Sequence, residues 1–185
     1  MADQAQRRHL FLLGSTRPGG NAELLARRAA EHLPAGAEQR WLGLDGLPPF
    51  TDRRHDGDGI YPEPTGHART LLDATLDATD LVIVSPLYWY SVSAPVKLYL
   101  DHWSAWMRVP GTDFTSRMAG RTLYGVTAYA GSDPSDADPL TGTLRRSADY
   151  LGMRWGGVLL GSGNRPGDVL ADESALLRAK SFLAT

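Results

Sequence analysis

Leu81-Val82-Ile83-Val84-Ser85-Pro86-Leu87-Tyr88-Trp89-Tyr90 is the stretch from which the rest of the chain can be read. It opens with an apolar run that is too short for a helix and rich in β-branched residues, the signature of a strand buried on both faces. Pro86 stops the strand, because it has no N–H to give the ladder. Three aromatic residues follow at once, on a loop at the strand's C-terminal end. In open α/β sheets that edge is where ligands bind. The rings either pack on the protein itself or form a shelf for a flat aromatic ligand.

Strands and helices alternate on both sides of this stretch. Residues 9–13 read as the first strand and 21–33 as a helix carrying Leu24, Leu25, Ala29 and Leu33 on one face. Residues 37–44 form a weaker second strand, and 67–79 a second helix that leads into the strand 81–85. The spacing predicts a helix over 94–106, with Pro95 in its first turn and Val96, Leu98, Leu100, Trp103 and Trp106 available for burial. Strand 120–130, helix 140–151, strand 154–160 and helix 172–183 complete the chain. Crossovers this long exclude hairpins and require a parallel sheet with helices on both faces. The segment 45–66, with Pro48, Pro49, Pro62 and Pro64, is long for a loop, so it is either functional or a surface excursion.

The chain of 185 residues suits a single domain, taken here as 1–185. A formal net charge of −2 gives no footing for nucleic acid or an anionic membrane as partner. There is no cysteine, which removes disulfides, thiol nucleophiles and iron–sulfur ligation. No apolar run approaches the ~20 residues of a membrane span. Residues 1–8 have no apolar h-region behind them, so the expected compartment is the cytoplasm. His9, His32, His55, His67 and His102 make no metal-ligand spacing, and Asp133, Asp136 and Asp138 read as turn and cap residues. No metal is expected.

After the first strand comes Gly14-Ser15-Thr16-Arg17-Pro18-Gly19-Gly20-Asn21. A glycine-rich turn feeding a helix offers free backbone N–H groups beside a positive dipole end, a ready site for phosphate. Ser15 and Asn21 add side-chain donors, and Arg17 adds a fixed positive charge. The alternative is a plain strand-to-helix turn with Asn21 as its N-cap. Gly14 and Gly19 have the spacing of a P-loop, but Gly20-Asn21 stands where Lys-Ser/Thr is required. Thr16 stands where the dinucleotide fingerprint needs its second glycine. What remains is a cradle for one phosphate monoester. With the aromatic shelf, it suggests a mononucleotide with a large flat ring, flavin mononucleotide (FMN) above all.

At this point a family resemblance is visible. Residues 14–21 resemble the phosphate loop of the flavodoxin-like NADPH-dependent FMN reductase family. Pro86-Leu87-Tyr88-Trp89-Tyr90, with Ala94-Pro95-Val96-Lys97 and Asp101, resembles its flavin-ring loop and the following helix. The resemblance extends over about residues 8–160. It implies a flavodoxin-like three-layer α/β sandwich whose five-stranded parallel sheet runs 2-1-3-4-5. It also implies noncovalent FMN, with Ser15, Arg17, Gly20, Asn21 and Ala22 around the phosphate. Pro86, Leu87, Tyr88 and Trp89 would line the ring and ribityl chain, and Tyr129 and Gly131 would lie at the ring's other edge. Ala22 departs from the hydroxyl residue often found at its position, which removes one phosphate contact.

The expected activity is reduction of FMN by NADPH or NADH, then of a quinone, flavin or similar small acceptor. The hydride chemistry belongs to the cofactor, so no catalytic side chain is named. A flavodoxin-type FMN electron carrier without its own substrate is the alternative. Lys97 and Asp101 read as a surface ion pair, and similar proteins use this helix between subunits. Trp103 and Trp106, if exposed, would suit such an interface in a homodimer or homotetramer.

Overall fold

The computed structural model describes residues 6–184, so the reading of the chain's first five residues lies outside the described residues. The strands are β1 (Arg8–Leu13), β2 (Glu38–Gly43), β3 (Asp80–Val84), β4 (Thr122–Tyr129) and β5 (Arg154–Ser162). All are parallel, in the order β2-β1-β3-β4-β5. The helices are α1 (Asn21–Ala30), α2 (Gly66–Asp77), α3 (Ala94–Trp106), α4 (Phe114–Met118), α5 (Asp138–Tyr150) and α6 (Glu173–Phe182). This is the flavodoxin-like three-layer arrangement. Every residue of β3 is buried, as its apolar run requires of a central strand. β2, at one edge, is exposed over its first three residues.

Strand alternation sends successive side chains to opposite layers. Leu10, Leu12, Leu81 and Ile83 face a core closed by Leu71, Tyr99 and Leu144 of α2, α3 and α5. Phe11, Val82 and Val84 face the other core, closed by Leu25 and Ala29 of α1 with Ala175 and Ala179 of α6. β5 follows β4 only after a register shift opposite Leu123 and Tyr124. A Cβ at Gly156 would sit 2.3 Å from the Tyr124 ring, and Gly157 takes a φ of +96°, so the paired glycines admit the ring and the bulge together. β1 and β3 are neighbours, yet α1 and α3 leave them toward opposite layers. Their loops therefore splay apart at the C-terminal edge and open a crevice.

Three expectations are amended. The first helix stops at Ala30, and the chain to Leu33 tightens into i→i+3 bonds, Leu33 N–H to the Ala30 carbonyl among them, before Pro34. The proline-rich loop is no loose excursion. The His102 ring lies 2.9 Å from the Pro48 carbonyl oxygen, Tyr61 N–H donates to Arg108, and Phe50 stacks on Tyr61 at 6.3 Å. Trp103 and Trp106 are buried, at 4% and 1% exposure, so neither supplies an interface. Their rings pack 5.6 Å from Tyr99 and within 6 Å of Phe114 on α4, a short helix absent from the sequence reading. Lys97 and Asp101 do form an exposed i, i+4 pair at 2.6 Å.

Trp106→Ala should therefore cost about 3–5 kcal/mol of stability, as large core truncations do, read as a fall in the urea midpoint. An unchanged midpoint would contradict the burial. A pH effect follows from His9, whose ring is buried with neither nitrogen hydrogen-bonded among the described residues, 3.9 Å from Asp80. Burial pushes the His9 pKa down and nearby Arg7 adds to this, against the opposing pull of Asp80. The unfolded chain, titrating near ~6.5, therefore takes up a proton that the folded chain resists, and stability falls as pH drops through that value. His9→Phe should flatten the loss of urea midpoint between about pH 7.5 and about pH 5.5. An identical slope in both proteins would remove His9 as its source.

Candidate functional site

The first loop begins at Gly14, whose N–H donates to the Val84 carbonyl at 2.8 Å. Its own carbonyl accepts from Ser93 Oγ at 2.7 Å, and Ser93 N–H donates to Ser85 Oγ at 2.9 Å. This buried knot joins the roots of the loops after β1 and β3. It leaves no room for a side chain, since a Cβ at Gly14 would lie 2.3 Å from Val96 Cγ2 and 2.8 Å from Ser93 Oγ. Beyond it, Ser15 Oγ accepts from Arg17 N–H at 3.0 Å and closes a small turn. Gly19, at φ +67°, donates to Glu23 Oε2 at 2.9 Å.

Gly20, not Asn21, occupies the N-cap of α1. Leu24 N–H is the first to close back, onto Gly20. The amides of Asn21, Ala22 and Glu23 precede it and have no acceptor within the helix. They face the loop beside the positive dipole end. Arg17 is exposed and enters no ion pair among the described residues, whereas Glu23 is tied to Arg27 at 2.6 Å. The net field at this helix start is positive.

The loop after β3 turns back on itself, with Tyr88 and Ser91 exchanging backbone hydrogen bonds of 3.2 and 3.1 Å. Trp89 and Tyr90 between them take φ values of +49° and +64°. That is the geometry of a two-residue turn usually built from Asn-Gly. Here it costs roughly 1–2 kcal/mol per residue and holds three rings in solvent. Tyr88 is 61%, Trp89 93% and Tyr90 54% exposed.

The two loops bound a cleft of about 370 Å³ at the C-terminal edge of the sheet. Ser15, Arg17, Gly20, Asn21, Ala22 and Glu23 line one side, and Pro86, Leu87 and Tyr88 the other. Trp89, Tyr129 and Gly131 do not line it. Trp89 stands out from the turn, and the segment after β4 presents Ala128 and Ala130 in place of Tyr129 and Gly131. Strand alternation explains the substitution, because Ala128 and Ala130 share a face. A separate hollow of about 300 Å³ under the proline-rich loop shares no lining residue with the cleft.

The sequence reading missed a third wall. Gly163, Asn164 and Pro166, in the loop after β5, line the cleft beside α1. The Asn21 carboxamide reaches them: Nδ2 donates to the Arg165 carbonyl at 2.9 Å, and Oδ1 accepts from Gly167 N–H at 2.9 Å. The side chain expected to point at a phosphate is thus engaged with another loop. The run Gly163-Asn164-Arg165-Pro166-Gly167 signals a turn but not its destination.

The family model for NADPH-dependent FMN reductases matches residues 8–154. YwqN of Bacillus subtilis (strain 168), provisionally named an NAD(P)H-dependent FMN-containing oxidoreductase, is 34% identical over 172 residues, 92% of this chain and 93% of its own. The solved structure of the Trp repressor binding protein from Bacillus subtilis is similar with a TM-score of 0.74 at 26% identity, covering 96% of this chain and 97% of that one. The FMN-dependent NADH-azoreductase from Bacillus anthracis str. Ames Ancestor, solved in complex with FMN, has a TM-score of 0.58 at 16% identity over 96% of this chain and 100% of that one. At that identity the likeness shows the fold alone.

The knot at Gly14 predicts that Gly14→Ala forces the end of β1 away from α3. The cost should be about 1–3 kcal/mol, the range for overpacking, measured as a lowered urea midpoint. A variant as stable as the wild type would mean that Val96 and Ser93 yield freely, and the knot would not fix the cleft.

Proposed function

The chain belongs to the NADPH-dependent FMN reductase family, and from that premise we propose that it passes hydride equivalents from a nicotinamide nucleotide through FMN in this cleft to a quinone, a flavin or a similar small acceptor. Membership makes it an oxidoreductase that contains FMN and depends on NAD(P)H. The acceptor and the residues that serve the cofactor are our reading. One observation carries it: the free amides at the start of α1 and Arg17, which enters no ion pair among the described residues, share one cleft of about 370 Å³ with the apolar Pro86 and Leu87, and the Glu23 carboxylate at its lining is held by Arg27. An amphiphilic ligand with an anionic end and a flat end matches that division.

FMN, when bound, supplies the hydride acceptance and onward electron transfer. The chain's own residues bind and orient it. Arg17, Ser15 and the backbone N–H groups of Gly20, Asn21 and Ala22 hold the phosphate, charge-assisted by the guanidinium. Pro86, Leu87 and Tyr88 bear on the ring and ribityl chain, and Trp89 and Tyr90 form an outer rim where a planar acceptor can stack. Tyr129 and Gly131 act through the segment that presents Ala130. No side chain is assigned a proton transfer. The protein works as one domain and in the cytoplasm. Assembly as a homo-oligomer rests on the exposed aromatic turn, not on the tryptophans of α3.

The test is an absorption spectrum with added FMN, followed by anaerobic NADPH, then NADH, then a series of quinones and flavins. Bound flavin bleached within seconds and reoxidised by an acceptor supports the reading. Bound flavin that ignores both nucleotides overturns it in favour of an electron carrier. Arg17→Ala should weaken FMN by about 10- to 100-fold, the value of a charged hydrogen bond, and leave riboflavin affinity unchanged. Equal losses for both ligands would remove Arg17 from the phosphate.

A further inference from the structure

We infer that Asn21 is a positioning residue whose carboxamide clamps the 163–167 loop as the third wall of the cleft, and that this clamp sets cofactor affinity. The inference rests on the cleft's being the FMN site. Asn21 makes a long-range junction, since Arg165 is 144 residues away in sequence. Nδ2 donates to the Arg165 carbonyl, while Oδ1 accepts from Gly167 at 2.9 Å and at longer range from Val169 at 3.5 Å. Reversing the amide would set its NH2 against two N–H groups and its oxygen against a carbonyl, so the partners fix its orientation. Three of its four hydrogen-bonding positions are then used within the protein.

The loop is braced from its far side as well. Asp168 Oδ2 accepts from Asn164 N–H at 3.1 Å and Arg165 N–H at 2.7 Å. Asp172 Oδ2 accepts from Ser162 N–H at 2.8 Å and Oδ1 caps α6 through Ala175 N–H. Space is as tight as the bonding: a Cβ at Gly163 would lie 2.9 Å from Asn21 Nδ2 and 2.8 Å from Val169 N. Val169 is wholly buried in the core under α1, which anchors the loop's outgoing end. Asn21 and Asp168 therefore hold one loop by separate bonds, and only Asn21 lines the cleft. The cradle and the third wall move as one body because a residue of the cradle carries the bond between them.

The test compares Asn21→Ala, Asp168→Ala, the double variant and Asp168→Asn. Amide exchange is read by NMR in the protein without ligand, and FMN affinity by titration. In Asn21→Ala the reporters are Asn164 and Arg165 N–H, which Asp168 holds and Asn21 does not touch; they should exchange faster. FMN should weaken by about tenfold in each single variant, the value of one to two hydrogen bonds. Since both act through one loop, the double variant should lose no more than about twofold beyond the worse single one. Asp168→Asn keeps an accepting oxygen and should return FMN affinity to within about twofold of the wild type. Two results overturn the clamp: unchanged reporter exchange in Asn21→Ala, or weakened FMN in Asn21→Ala with unchanged FMN in Asp168→Ala. The second would make Asn21 a direct phosphate ligand. If the wild-type protein binds no FMN, the proposed function fails, while the exchange experiment still decides the clamp.

Discussion

The close approach of Gly14 to Val96 and Ser93 is the constraint on which the cleft depends. β1 and β3 deliver their helices to opposite layers, so nothing in the sheet alone fixes how far apart the two loops stand. The knot fixes it. A neutral hydrogen bond such as Ser93 Oγ to the Gly14 carbonyl contributes about 1 kcal/mol net, and close packing against Val96 is possible only because glycine has no Cβ, which would fall 2.3 Å from Val96 Cγ2. Packing therefore sets the distance, and the serines set the direction in which each loop leaves.

From that root the cleft is built by offsetting costs. Glu23 in the first turn of α1 is favourable toward the helix dipole, yet it competes for the field that an anionic ligand would use. Its bonds to Gly19 and to Arg27 absorb both oxygens, and Arg17 at the cleft enters no ion pair among the described residues. Charge at the opposite edge of the sheet is handled differently. Asp80 is buried, which by itself would raise its pKa, but hydrogen bonds from Arg7 and Thr79 outweigh burial and hold it below the usual carboxylate range. Buried charge is thus paired at one edge, and among the described residues the cation Arg17 enters no ion pair at the other.

Much of this was legible in the sequence, because the signals were local. Four apolar residues ended by a proline mark a central strand, and Pro95 with an apolar stripe marks α3 over its observed bounds. The two cleft loops were legible for the same reason, since each carries its chemistry within eight residues. What escaped depends on distant partners. The clamp by Asn21 joins ends of the chain that no periodicity relates. Trp103 and Trp106 could be exposed or buried until α4 was known, and five residues preceded by Asp113 in a left-handed conformation give almost no helical signal. Proline content was misleading for residues 45–66, where aromatic stacking and carbonyl bonds, not composition, tie the loop down.

The turn at Trp89 and Tyr90 shows where local economy was set aside. Asn-Gly would make the same turn without strain, and no core contact repays the Trp89 ring, which stands almost wholly in solvent. Two left-handed aromatic residues cost roughly 2–4 kcal/mol together, a noticeable part of the 5–15 kcal/mol that holds a typical domain folded. The bonds between Tyr88 and Ser91 fix the turn but do not bury its rings. The net stability of the rest of the fold therefore carries the strain, and the ring faces are left uncovered. Within the proposed function, that exposed display suits a flat acceptor above the cleft, because stacking acts on the face of a ring that the chain itself leaves uncovered.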